Sequence, residues 1–125
     1  MKVPEKYYDE VFDFMGQWEV WGKCGLKIVD YRGKKIIIVT ELYQDNPGTS
    51  ITYNATLLIK QIVQKKGFDI NNITYIECNP NTNSVLSFYD EEFFEVSFDF
   101  EDNQFKNPKY RQISSEEIRE IIPIN

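Results

Sequence analysis

Histidine is missing from this 125-residue chain, and cysteine is scarce, occurring only as Cys24 and Cys78. Without histidine the chain cannot form a Cys-His zinc site or a Cys-His catalytic dyad, and it lacks the usual proton shuttle at neutral pH. The wide separation of the two cysteines favours reduced thiols that pack as small apolar residues. We therefore predict no catalytic residue, no metal and no cofactor.

Long apolar runs are also missing. The longest obvious one covers residues 36–39, far short of the ~20 residues that span a bilayer. The N-terminal residues lack the apolar core of a secretory signal. We therefore expect a cytoplasmic protein of a bacterial or phage-infected cell, with no membrane partner. Its length predicts one domain over residues 1–125.

The periodicity of apolar residues predicts the element order α-β-β-β-α-β-β-β-α. A first helix is predicted over residues 4–15, where Tyr7, Val11 and Met15 share a face. A central strand is predicted over residues 35–43, followed by a helix from about residue 50 to 66. Ser114 and Glu117 have the spacing of a capping box for a last helix over residues 115–122.

Short turns between neighbouring strands favour antiparallel pairing. Strands are predicted from residue 18 to 28, over 73–78 and 85–89, and in the acidic segment that follows, and a polar connection crosses residues 103–112. The expected fold is α+β, with one mainly antiparallel sheet of five or six strands and helices mostly on one face.

Residues 90–102, DEEFFEVSFDFED, hold seven carboxylates and no basic residue. The whole chain has a formal charge of −6, so the remaining residues sum to +1. Within this segment apolar and polar residues alternate, which is typical of a half-buried strand. The apolar set is Phe94, Val96, Phe98 and Phe100, and the polar set is Glu95, Ser97, Asp99 and Glu101.

Carboxylates two residues apart on a strand face are ~6.6–6.8 Å apart, of the same order as successive phosphates in nucleic acid. Such a row could bind the basic groove of a nucleic-acid-binding protein. The alternative is an ordinary solvated strand face. The predicted partner-binding residues are Asp90, Glu91, Glu92, Glu95, Asp99, Glu101 and Asp102, together with Trp21.

Trp21 is included because Trp18 and Trp21 have opposite parity, so a regular strand cannot bury both. An exposed tryptophan commonly anchors an interface. A bulge near Gly22 would instead bury both rings.

Three other patterns in the sequence could carry chemistry. Asp90, Glu91, Glu92 and Glu95 could supply oxygen ligands to a metal, but adjacent acids on a strand point apart. The basic and aromatic residues at 106–111 could contact nucleic acid, yet the neighbouring acids oppose it, and a crossover loop explains them as well. The predicted strand-turn-helix junction could bind an anion at a helix N-terminus. Its residues are Asp45, Asn46, Gly48, Thr49 and Ser50.

The blocks IIIVTELYQDNPGTSITYNA and FKNPKYRQISSEEI resemble segments of short uncharacterised bacterial proteins, some of them borne on mobile elements. The resemblance covers roughly residues 35–122. It implies an accessory rather than a housekeeping role and carries over no functional residue.

The leading hypothesis is a non-enzymatic acidic interaction protein of inhibitor, immunity or anti-defence type. Its expected partner is a basic protein, such as a nuclease, a toxin or a nucleic-acid-binding complex, without direct nucleic-acid binding. The alternative is a protein that binds or processes a nucleotide or other phosphoester at residues 45–50. A third possibility is a structural subunit whose exposed tryptophan marks a contact.

Overall fold

The computed structural model describes residues 8–16, 21–41, 55–79 and 91–122. Within these ranges it contains one six-stranded mixed sheet, two α-helices and a short 3₁₀ helix, Ile70–Asn72, which confirms the predicted α+β class. The elements are β1 Glu10–Met15, β2 Trp21–Tyr31, β3 Lys34–Glu41, α1 Ala55–Lys66, β4 Ile73–Asn79, β5 Glu92–Glu101, β6 Gln104–Ile113 and α2 Ser115–Ile121. The strand predicted over residues 85–89 lies outside the described ranges.

The strands lie side by side in chain order, from β1 to β6. Four neighbouring pairs are antiparallel, but β3 and β4 are parallel. The mainly antiparallel expectation therefore needs correction to a mixed sheet. Between β3 and β4 the chain passes through α1, and a crossover of this kind brings the next strand back in the same direction.

Strand β3 is the centre of the core, because it is buried on both faces. Ile37 and Val39 pack with α1, whereas Ile36 and Ile38 pack with α2. The two helices therefore cover opposite faces, here called the α1 face and the α2 face, and the prediction of helices mostly on one face is wrong. A strand that is apolar on both sides requires a cover on both sides.

The predicted first helix over residues 4–15 is wrong in its described part, because Glu10–Met15 is a strand paired with β2. Phe12 and Phe14 are both buried in the cluster on the α1 face. Residues two apart share a face of a strand but not of a helix, so burial of both phenylalanines selects the strand. Residues 4–7 lie outside the described ranges.

The segment from 103 to 112, expected as a crossing connection, forms strand β6 and pairs with β5. Asp102 and Asn103 join the two strands, with φ values of 52° and 61°. Positive φ at both central residues is typical of a type I′ hairpin turn, which aspartate and asparagine tolerate. Pro108 fits because β6 is an edge strand with one unpaired side.

Helix α2 begins where the capping box predicts. The Ser114 side chain accepts a hydrogen bond of 3.3 Å from the backbone N–H of Glu117. Farther along the helix, the Tyr31 hydroxyl donates to the Glu120 carboxylate at 2.9 Å. The second contact joins α2 to the end of β2 on the α2 face. No helix in the described ranges is long and apolar enough to cross a membrane.

Candidate functional site

The half-buried pattern predicted for the acidic strand β5 is confirmed only in part, because Phe93, on the same side as Glu95, is buried on the α2 face and Phe100 is 40% exposed. Val96 is buried on the α1 face, and Phe98 packs against the same cluster. By alternation Glu95, Asp99 and Glu101 lie on the α2 face. Asp99 and Glu101 are exposed, whereas Glu95 is half-buried. The three acids therefore share one side of a strand but differ in their access to solvent.

Glu95 is held by an arginine on the neighbouring strand. Arg111, its cross-strand partner on β6, approaches the Glu95 carboxylate at 3.4 Å and the Glu117 carboxylate at 3.1 Å. One guanidinium thus joins β5, β6 and α2. Sequence reasoning missed this pairing because Glu95 and Arg111 are 16 residues apart.

A β-bulge changes which side chains of β6 face the acids. Ser97 pairs with Lys109, but Asp99 pairs with Lys106, so β6 contains one extra residue there. Asn107 has φ 53° in this bulge, and its side-chain amide donates to Asp99 at 3.0 Å. The bulge places Lys106 on the same face as Lys109, so cations lie across from much of the acidic row.

The end of the β5–β6 hairpin carries three exposed carboxylates, which we call the acidic tip. They are Asp99, Glu101 and Asp102. Glu101 lies opposite Gln104, an uncharged residue. Neither Glu101 nor Asp102 forms a salt bridge within the part of the chain that the structure describes. The tip is therefore the least compensated portion of the predicted row.

At the N-terminal end of β5, the acids of the predicted row differ in their exposure to solvent. Glu91 is only 7% exposed. Burial, and to a smaller extent the charge of Glu91, raises the pKa of the Cys78 thiol to about 12. Glu91 is therefore not available to a partner at the surface, in contrast to the predicted role. Glu92 is exposed, and Asp90 lies outside the described ranges. No three acidic, cysteine or histidine side chains converge as metal ligands in the described ranges.

Trp21 is 68% exposed, but it lies on a different part of the molecule. It begins β2 and pairs with Met15 of β1, and strands β3 and β4 separate it from β5. The structure therefore does not join Trp21 and the acidic tip into one surface.

The predicted ligand-binding residues Asp45, Asn46, Gly48, Thr49 and Ser50 lie outside the described residues. Binding of a nucleotide or phosphoester there stays a prediction.

A buried polar pair on the α1 face escaped the sequence analysis. Tyr75 and Glu77 are two residues apart on β4, so their side chains lie on the same face, and Glu77 is only 2% exposed. The Tyr75 hydroxyl has no hydrogen-bond partner within the described ranges. Burial, and then the Glu77 charge, raise the pKa of Tyr75, and the same two causes raise the pKa of nearby Tyr110 to about 12.

The contact between Arg111 and Glu117 makes stability depend on acid pH. The Arg111 hydrogen bond lowers the pKa of Glu117 below its ordinary 4.5. A lowered carboxyl pKa stabilises the fold above the ordinary value, and this contribution is lost as pH falls through the folded-state pKa. We expect Arg111→Gln to lower the urea midpoint at about pH 7 and to have a smaller effect at about pH 3.

Lys109→Gln is the matched control, because Lys109 is on the same strand and lies opposite the uncharged Ser97. It should change the midpoint little at either pH. If Arg111→Gln lowers the urea midpoint equally at both pH values, stability does not depend on pH through the contact between Arg111 and Glu117.

Taken together, residues 91–122 hold nine carboxylates and four cations, a net charge of −5 out of −6 for the chain. The site is thus an acidic hairpin with a mixed-charge base and a tip at which Glu101 and Asp102 form no salt bridge with the described residues. Comparison with protein-family models, with curated proteins and with solved structures finds no match, so the resemblance to short bacterial proteins stays a prediction.

Proposed function

We propose that this chain is a non-enzymatic interaction protein, of inhibitor, immunity or anti-defence type, which binds a basic protein partner through the acidic tip. The partner class is a nuclease, a toxin or a nucleic-acid-binding complex. The observation that carries the proposal is the exposure of all three tip carboxylates at the end of the β5–β6 hairpin, past the last described pair of β4 with β5.

The position of the tip follows from the strand register. Among the described residues, β4 pairs with β5 from Glu92 to Val96, and the part of β5 beyond Val96 pairs with β6 alone. Two aromatic contacts stiffen this distal half, because Phe105 meets the rings of Phe98 and Phe100 at centroid distances of 5.6 and 4.9 Å. Charges on a stiff support lose little freedom when they bind, which favours affinity.

The electrostatics indicate the sign of the partner. The concentrated negative charge of residues 91–122 attracts a positively charged surface over long range and speeds encounter. The same field repels nucleic acid, so a basic protein that itself binds nucleic acid is the better complement.

The contact is narrower than the row predicted from the sequence. Glu95 is engaged by Arg111, Glu91 is buried, and Trp21 is on another part of the sheet. The acidic tip remains as the centre of the contact, and Glu92 is exposed at the other end of β5.

The test is affinity capture from bacterial lysate on the immobilised chain at about 0.05 M and about 0.5 M salt, where screening differs strongly. We compare the wild type with the triple variant Asp99→Asn, Glu101→Gln and Asp102→Asn. Asparagine at 99 keeps an oxygen for the Asn107 amide, and asparagine tolerates the positive φ at 102. We expect a basic protein retained at low salt, with at least tenfold less retained by the variant.

A second triple variant removes the same total charge elsewhere, through Asp13→Asn, Asp30→Asn and Glu116→Gln. These side chains are exposed and lie off the hairpin. It should retain the partner like the wild type. Equal losses in the two variants would show that total charge matters and not the tip, and capture of no salt-sensitive basic protein would overturn the proposal.

A further inference from the structure

A cleft of about 300 Å³ opens where β4 and β5 separate. Pairing of these strands ends at Tyr75 and Val96, and the cleft begins beside this last pair. Thr74 and Ser97 line it, and they would be the next partners if the pairing continued. The cleft is therefore a gap in the sheet, at the point where the described pairing of β4 with β5 ends.

The lining comes from both faces of the sheet, which shows that the gap reaches between the strands. Thr74 and Ser97 belong to the α2 face by alternation, whereas Tyr75 and Phe98 belong to the α1 face. Alternate residues of a strand direct their backbone N–H and C=O groups to the same side. On each strand, one of the two residues beside the gap therefore directs its backbone groups toward it.

The walls of the cleft combine four aromatic rings, those of Tyr75, Phe98, Phe100 and Phe105, with aliphatic side chains and with the polar side chains of Thr74, Glu95 and Ser97. Phe98 contacts Tyr75 at 5.7 Å and Phe105 at 5.6 Å between ring centroids, both edge to face. Phe100 continues the chain of rings, lines the cleft and is 40% exposed. Exposed rings beside an open cleft offer apolar area without a further cost of ordering, as in the anchor sites of protein interfaces.

The volume of the cleft and the charges beside it indicate which chemical group would fit. Its volume is at the lower limit of pockets that hold drug-sized ligands, and so suits one large side chain. The acidic tip follows directly along the same strand, where Asp99 and Glu101 adjoin Phe100 in sequence but lie on the opposite face of β5. An extended segment alongside β5 also directs successive side chains to opposite faces, so its apolar side chain would contact the cleft while the neighbouring cations contact the tip.

We propose that the cleft receives one aromatic or large aliphatic side chain from a basic segment of the partner, whose lysines or arginines contact the acidic tip. This inference rests on the proposed function and adds the chemistry of the partner segment: a basic stretch interrupted by an apolar anchor. The anchor would supply specificity, since charge alone discriminates poorly among basic proteins.

Three labelled nine-residue peptides test the proposal against the full chain by fluorescence anisotropy. The first has four lysines around a central tryptophan, the second replaces that tryptophan by alanine, and the third replaces the lysines by glutamates. We expect the first to bind at least tenfold more tightly than the other two. In amide NMR spectra it should shift the signals of Thr74, Ser97 and Phe98.

Phe100→Ala removes one exposed wall of the cleft, and Val11→Ala is the matched control on β1 at the far edge of the sheet, where Val11 is 48% exposed. The advantage of the tryptophan peptide should shrink severalfold in the first variant and persist in the second.

If the tryptophan and alanine peptides bind equally tightly while binding still depends on the tip carboxylates, the proposed function stands. That result would overturn the proposal that the cleft receives an apolar side chain. Equal binding of the lysine and glutamate peptides, or equal behaviour of the two variants, would also overturn it. Failure of every lysine peptide to bind would count against both proposals.

Discussion

Replacing Phe93 by alanine is expected to lower the free energy of unfolding by about 3–5 kcal/mol. Phe93 is 0% exposed and packs on the α2 face with Ile76, Ile113 and Ile118. Its ring therefore joins β5 to β4, β6 and α2 at once. The loss combines the apolar area returned to water with the cavity left among these neighbours.

Phe100→Ala provides the comparison within the same strand. Its side chain is partly in solvent already, so its removal should cost less than about 1 kcal/mol. Urea denaturation of the two variants measures both values. Similar losses for Phe93 and Phe100 would show that burial along β5 is not as the structure describes.

Gly25→Ala is expected to lower the free energy of unfolding by about 2–3 kcal/mol, in the upper part of the range for overpacked sites. A Cβ atom at this position would be 2.6 Å from the Tyr8 Cβ and 2.7 Å from its Cγ. Those atoms are at the root of the Tyr8 side chain, so they cannot move aside by rotation. Gly25 has no positive φ, so the cost arises from the contact and not from backbone strain.

A double-mutant cycle separates the contact from other effects of the alanine. In the Tyr8→Gly background the obstructing atoms are gone, so Gly25→Ala should cost much less than in the wild type. Thermal or urea unfolding of the four proteins gives the coupling. An equal cost in both backgrounds would contradict the packing of Tyr8 on Gly25.

Several elements follow from the local sequence. The β-branched run at 36–39 predicts a central strand, and Leu58 and Ile62 predict a buried stripe on a helix, because both signals depend on spacing within one element. The Ser114 cap is equally local, since it needs only a hydroxyl three residues before an amide. All three are confirmed by the structure.

Other features depend on pairing partners that are distant in sequence. Val11 and Met15 have a spacing that suits one face of a helix and equally one side of a strand, and the pairing with β2 decides between them. The parallel pairing of β3 and β4 depends on which strand the chain joins after α1. Local periodicity therefore predicts neither the strand at β1 nor the parallel pairing of β3 and β4.

The candidate site shows the same limit. Alternation in β5 correctly predicts which residues share a face, including Glu95 and Asp99. The pairing of Arg111 with Glu95 is not predictable in detail, because the bulge at Asn107 shifts the register of β6 by one residue before Arg111 is reached. The acidic row of the sequence is therefore a mixed-charge surface for most of its length, and an acidic one only at its tip.

The outer edge of β6 has a consequence for self-association. An edge strand presents unpaired backbone groups that can recruit a strand from another copy and begin aggregation. Here Pro108 lacks a donor, the Asn107 bulge interrupts the regular backbone, and Lys106 and Lys109 add charge. The residues that obscure β6 as a strand in the sequence are thus the ones that disfavour pairing of this edge with a second molecule.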